Sequence, residues 1–182
     1  MGYRWYDGNV SGQCAVDPTT NTNPCVAFPF GHGLTYSTFT QSSPSVTPVK
    51  DARGSVSAYT VKTTVKNTGS RTTSEVVQVY VALPASASDA SVGAKQPPKR
   101  LVGFQKVELA AGASKDVTIT IDPAASSHPL SYWNTNTNLW TTPKGTYTVY
   151  VGDVPWRVVS IRNAALDIQV EGWEKIQLRQ EL

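Results

Sequence analysis

The sequence has no run of eighteen apolar residues, so no segment is a candidate transmembrane helix. It has no basic block either. Lys and Arg number 16 against 13 Asp and Glu, a net charge of +3. That excess is too small and too scattered to grip a phosphate backbone, so nucleic acid is not an expected partner. Cysteine and histidine are scarce, with two of each: Cys14, Cys25, His32 and His128. A structural zinc needs about four nitrogen or sulfur ligands, and a CxxC redox pair is missing. No metal or cofactor is expected. No GxSxG nucleophile turn occurs, and Gly31-His32-Gly33 is too short for a phosphate loop and precedes no helical pattern. The residues from Met1 to Trp5 form no apolar signal region.

The two cysteines stand eleven positions apart in a Pro/Asn/Thr-rich stretch. They read as a local Cys14–Cys25 disulfide in preference to two free thiols, which implies an oxidising compartment. Asn9-Val10-Ser11 is an N-glycosylation sequon and agrees with that. The protein is therefore expected to be secreted and extracellular, and a secreted chain without a signal region suggests a piece of something longer.

A length of 182 residues fits one domain, or one domain plus an arm. Residues 1–41 are dense in aromatics and show no clean period, so they read as an arm and connector. Residues 41–56 are rich in Ser, Pro and Thr and read as connecting chain. From 57 the pattern alternates. Ser57–Lys66, Val76–Leu83, Leu101–Leu109, Lys115–Asp122 and Gly145–Gly152 read as strands, with further strand character at Val158–Ile161 and Ala165–Val170. Residues 84–98 read as a long loop, and 123–144 as irregular chain apart from a short strand at Leu130–Trp133. Short strands with turn punctuation and no long amphipathic helix predict an all-β antiparallel sandwich of the immunoglobulin or fibronectin type III kind over 42–170. The arm precedes it in an extended form, and a tail, 171–182, follows. Val61, Val65, Val79, Val117, Ile119, Ile121, Tyr147, Val149 and Val151 are the expected core.

Catalytic constellations are hard to find. His32 lies between glycines and His128 before a proline, both turn settings. Asp116 and Asp122 share one strand's outer face, where solvated charge is the ordinary reading, and Asp153 ends a strand. Flat aromatic faces pack on sugar rings, which makes Trp140 and Trp156, in loop-like sequence, candidates for sugar stacking. Aromatics more often serve cores and interfaces.

Five segments together resemble one family: GYRWYDG at Gly2–Gly8, FPFGHGLTYSTF at Phe28–Phe39, TVKNTGSRTTSEVVQVYV at Thr64–Val81, PKRLVGFQKVEL at Pro98–Leu109 and PKGTYTVYVGD at Pro143–Asp153. They are similar to the C-terminal region of glycoside hydrolase family 3 β-glucosidases, from the end of the second catalytic domain through a connector into the fibronectin type III-like domain. The insertion carrying Cys14 and Cys25 and the tail from Glu171 depart from that pattern. The resemblance implies a parent that hydrolyses terminal β-D-glucosyl residues with retention, using two carboxyls about 5–5.5 Å apart. Both would lie upstream of the matched region, so no catalytic residue carries over and the chain alone is not expected to be an enzyme. The resemblance implies a supporting domain whose partners are the upstream catalytic domains of the same polypeptide. Tyr3, Trp5, Tyr6, Phe28, Phe30, Leu34, Tyr36 and Phe39 would be anchors between the bodies. With those anchors unpartnered, weak self-association is expected. A polysaccharide- or lignin-binding module, or a stand-alone secreted interaction domain, is the alternative.

Overall fold

The computed structural model describes residues 2–9, 30, 34–88, 96–152 and 165–168, with side chains described for all of these except 6–9 and 165–168. One short helix, α1 (Gly2–Asn9), comes first. The strands follow in order: β1 (Phe39–Gln41), β2 (Ser45–Lys50), β3 (Val56–Asn67), β4 (Thr73–Ala82), β5 (Arg100–Leu109), β6 (Ser114–Ile121), β7 (Tyr132–Asn134), β8 (Leu139–Thr141), β9 (Gly145–Gly152) and β10 (Ala165–Ile168).

The alternation seen in the sequence sets the layers. In β3 the side chains of Tyr59, Val61, Thr63, Val65 and Asn67 are buried, while Ser57, Lys62 and Lys66 face water. β6 lies antiparallel to it, with Ile121 opposite Tyr59, Ile119 opposite Val61 and Val117 opposite Thr63. The other edge of β3 is shared by two strands placed end to end: β1 pairs with its last residues and β2 with its first. The second sheet runs β10-β9-β4-β5 and is antiparallel throughout. β7 and β8 form a separate hairpin.

The two larger sheets close over one apolar core. Val61, Val65, Val117, Ile119 and Ile121 come from one side, and Val77, Val79, Val81, Val107, Leu109, Tyr147, Val149 and Val151 from the other. Every residue expected in the core is buried there. Burying one such aliphatic side chain contributes about 1.5–3 kcal/mol. The fold is the antiparallel sandwich that the alternation predicts.

Four readings need correction. The chain between 41 and 56 is not merely connecting, because β2 (Ser45–Lys50) lies in the middle of it. Pro48 sits within that strand, opposite Tyr59, and an edge strand tolerates a residue without an N–H. The sheet also begins before Ser42, since Phe39 in β1 pairs with Asn67. Gly2–Asn9 is helical, so the arm does not start extended. Residues 123–144 hold a complete hairpin where the sequence suggested one strand. The expectations for Cys14, Cys25, Phe28, His32, Asp153, Trp156, Val158–Ile161 and the tail lie outside the described residues, as do those for the side chains of Tyr6 and Asn9.

Candidate functional site

Three constellations of side chains stand out. The first fastens α1 to the outer face of the second sheet. β4 is an inner strand there and is buried on both faces, with Gln78 and Tyr80 turned away from the valine core. The Tyr80 hydroxyl donates to Gln78 Oε1 at 2.5 Å. Tyr3 meets the Tyr80 ring edge-on at 6.4 Å and stacks on Phe30 at 4.5 Å. Its hydroxyl accepts the backbone N–H of Leu101 at 2.6 Å, a donor left open because β5 edges the sheet. Arg4 adds a longer bond to the Leu101 carbonyl at 3.4 Å. Of the other expected anchors, Trp5 is half exposed, while Leu34 and Tyr36 are 96% and 90% exposed. Phe39 packs against the sandwich's own core, so it belongs to this body and does not reach out to another.

The second constellation pins the chain where it enters the sandwich. Asn67 is fully buried. Its Oδ1 accepts the Ser37 hydroxyl at 2.6 Å and the Gly69 N–H at 3.0 Å. Its Nδ2 donates to the carbonyls of Arg71 at 2.7 Å and Leu109 at 3.0 Å. A Cβ at position 69 would lie 2.0 Å from Ser37 Oγ, so the turn there requires glycine.

The third is the β7–β8 hairpin and its base. Trp133 and Trp140 are directly opposite in register, with ring centroids 5.7 Å apart and planes at 77°. His128 stacks on Trp140 at 4.1 Å and 16°. Both indoles remain 44% exposed, and Leu139 beside them 52%. Below the hairpin Arg100 is buried, donating to the Ser131 carbonyl at 2.6 Å and to Gln96 Oε1. Burial, and then the nearby Arg4, lower the Arg100 pKa to about 10, which leaves it charged at neutral pH. The Tyr147 hydroxyl directs its one proton between the carbonyls of Pro143 at 2.6 Å and Leu130 at 3.1 Å. Burial, with Tyr59 nearby, pushes its phenol well above the ordinary range.

None of these assembles acid–base machinery. Asp116 accepts the Thr64 hydroxyl at 2.7 Å and Asp122 caps the backbone of Ala124 at 2.8 Å, both on the surface. Among the described residues no three His, Cys, Asp or Glu gather as for a metal, and no helix is long and apolar enough to cross a membrane.

Comparison with known proteins matches residues 75–154 to the fibronectin type III-like domain. The chain is 36% identical over 160 residues to probable beta-glucosidase H of Neosartorya fischeri, a match covering 88% of this chain and 16% of that protein. It is 35% identical over 152 residues to thermostable beta-glucosidase B of Acetivibrio thermocellus, covering 84% of this chain and 17% of that one. The solved GH3 beta-glucosidase of Bifidobacterium adolescentis superposes with a TM-score of 0.65 at 31% identity, covering 88% of this chain and 20% of that one. This is a fibronectin type III-like region of the family 3 β-glucosidases. DesR of Streptomyces venezuelae, a beta-glucosidase solved with D-glucose, agrees, with a TM-score of 0.64 and 36% identity over 88% of this chain and 17% of its own.

The fibronectin type III-like region thus spans 16–17% of the length of the curated relatives named above. The matched domain runs from β4 to just past β9, yet β3 and the strands on its edge complete the sandwich upstream of it. Sequence reading missed Asn67, Tyr80, Arg100 and Trp133. Asn67 opens the stretch Asn67-Thr68-Gly69-Ser70, which by composition is ordinary turn sequence. Arg100 follows two prolines and a lysine, a solvated setting by composition. The signal for Trp133 was present: it stands seven positions before Trp140, across an Asn/Thr stretch that turns a hairpin.

Proposed function

We propose that this chain is the non-catalytic C-terminal domain, with its entering connector, of a secreted family 3 β-glucosidase, and that it supports a catalytic body that hydrolyses terminal β-D-glucosyl residues. The observation that carries the reading is one of coverage. The superposition takes in 88% of this chain but only 20% of the GH3 beta-glucosidase from Bifidobacterium adolescentis, so most of such an enzyme would lie elsewhere. The anchors fit a junction. Leu34 and Tyr36 project into solvent immediately before the Ser37–Asn67 clip, where an upstream body would meet the sandwich. Tyr6 and Phe28 complete that set. We place the junction just ahead of Ser37, with residues before it belonging to the catalytic side and the sandwich running to about 170.

Asp51, Asp116 and Asp122 hold surface hydrogen bonds, and the purified 182-residue chain should turn over aryl β-glucosides no faster than buffer. Turnover that co-purifies with it and disappears in Asp116→Asn or Asp122→Asn overturns the reading. The secreted character rests on Cys14, Cys25 and the Asn9 sequon. Intact mass before and after reduction and alkylation should show one Cys14–Cys25 bond, and two free thiols in unreduced protein would refute it.

A further inference from the structure

From Pro123 to Pro143 the chain carries no Asp, Glu, Lys or Arg, and it is rich in Thr, Asn and Ser. In the middle of this uncharged segment the fold sets an exposed aromatic surface on a fixed base. Tyr132 and Leu130 are buried, while Trp133 and Trp140 remain partly in water. His128 backs one face of Trp140, held in a left-handed turn at φ 46°. The Ser131 hydroxyl pairs with Thr142 at 2.7 Å, and Arg100 holds the Ser131 carbonyl from below. A surface fixed in this way loses little freedom when it binds.

We propose that the β7–β8 hairpin is a binding site for a neutral sugar, with Trp133, Trp140 and His128 as its apolar surface and the surrounding amides and hydroxyls as its polar rim. Charge complementarity selects the ligand. An uncharged segment offers nothing to an acidic peptide, a phosphate or a polycation, while aromatic faces ringed by neutral hydrogen-bonding groups match a polyol that has an apolar CH face. A pyranose with equatorial hydroxyls is such a molecule, because its ring hydrogens lie on its two faces. Geometry limits the mode. Rings at 77° cannot both lie flat under one extended row of sugars, so one indole supports a single residue and the other walls it. The site therefore takes one residue of a soluble chain and does not adhere to a flat crystalline surface.

This goes beyond a supporting role, and it is tested without turnover, so its failure leaves the assignment as a β-glucosidase domain untouched. The test is affinity electrophoresis of the 182-residue chain in gels containing soluble hydroxyethylcellulose, with cellohexaose titration followed by NMR. Retardation is expected, and Trp140→Ala and Trp133→Ala should each weaken binding roughly tenfold, with Trp140→Phe retaining part and Trp5→Ala unchanged. Thermal unfolding checks that each variant folds. If Trp140→Ala does not, Trp133→Ala and Trp140→Phe decide. Equal migration with and without polymer overturns the proposal, as does retardation that survives both alanine variants. Equal, Trp140-dependent binding to a lignin-like polyphenol would show a generic apolar patch and also overturn it. So would self-association lost in Trp140→Ala without sugar binding.

Discussion

Replacing Asn67 by alanine should be among the most damaging polar changes in this domain. The side chain makes four hydrogen bonds and is fully buried. Two partners can be rescued by water, since Gly69 is half-buried and Arg71 exposed. The Ser37 hydroxyl and the Leu109 carbonyl belong to buried residues. Each buried orphan costs about 1–3 kcal/mol, so the sum is roughly 2–6 kcal/mol. Set against a domain stability of about 5–15 kcal/mol, that is a large share. Urea unfolding followed by tryptophan fluorescence should show a lower midpoint at unchanged slope. Asn67→Asp sharpens the test. It keeps the acceptor but turns a second acceptor toward two carbonyls, so at neutral pH it should be at least as harmful as Asn67→Ala. Burial beside carbonyls raises the folded pKa of the new carboxyl, so its penalty is present above that pKa and shrinks as pH falls and the protonated form donates again. A loss below about 1 kcal/mol for Asn67→Ala, or an aspartate variant insensitive to acid, refutes the reasoning.

A Cβ at Gly103 would lie 2.6 Å from Ile119 Cγ2. Gly103→Ala should cost about 1–3 kcal/mol and Ile119→Ala about 2–5 kcal/mol, while the double variant should cost less than their sum; additivity in chemical denaturation would refute the contact. The folded pKa of Tyr147 is raised, so its contribution is intact below the unfolded tyrosine value and lost as pH rises past about 10. Arg100, with its lowered pKa, acts in the opposite sense there, so wild type must be compared with Tyr147→Phe, whose stability should fall less steeply with alkali. A chain starting at Ser42 loses β1 and Ser37 and should melt at a lower temperature than one starting at Leu34, which keeps both. The full chain, with Leu34 and Tyr36 exposed, should self-associate weakly in sedimentation, and Leu34→Ser with Tyr36→Ser should abolish this.

Period-two patterning located β3, β6 and β9 and named their buried residues correctly, because in these strands one face meets the core and the other meets water. The same rule failed where that condition fails. β4 is buried on both faces, so Tyr80 and Gln78 gave no sign of the cover they require. β2 lies on an edge with Pro48 inside it, and of its six residues all but Val46 are exposed, which leaves little alternation to read. β7 and β8 are too short for a period. The site residues divide in the same way. Tyr3 was legible as an aromatic needing a home, but its bond to the Leu101 N–H depends on a sheet edge that no local pattern reveals. Asn67 and Arg100 act through carbonyls 42 and 31 residues away, and such pairings arise only when the sheets close.

The edges of the two sheets bear on how the domain behaves when crowded. An uninterrupted edge strand is a template on which a foreign strand can add. Here the exposed side of β3 is covered by β1 and β2 in two short lengths, interrupted between Gln41 and Ser45, and the second length carries a proline and a register shift at Val49/Lys50. β5 is broken too: its ladder slips where Val79 gives way to Tyr80, and the Tyr3 hydroxyl already occupies the Leu101 N–H. An incoming strand would find only short stretches of open backbone at either place. β6, at the far edge of the first sheet, has neither device: it pairs with β3 over eight residues without a register shift, so strand addition to this domain would start there.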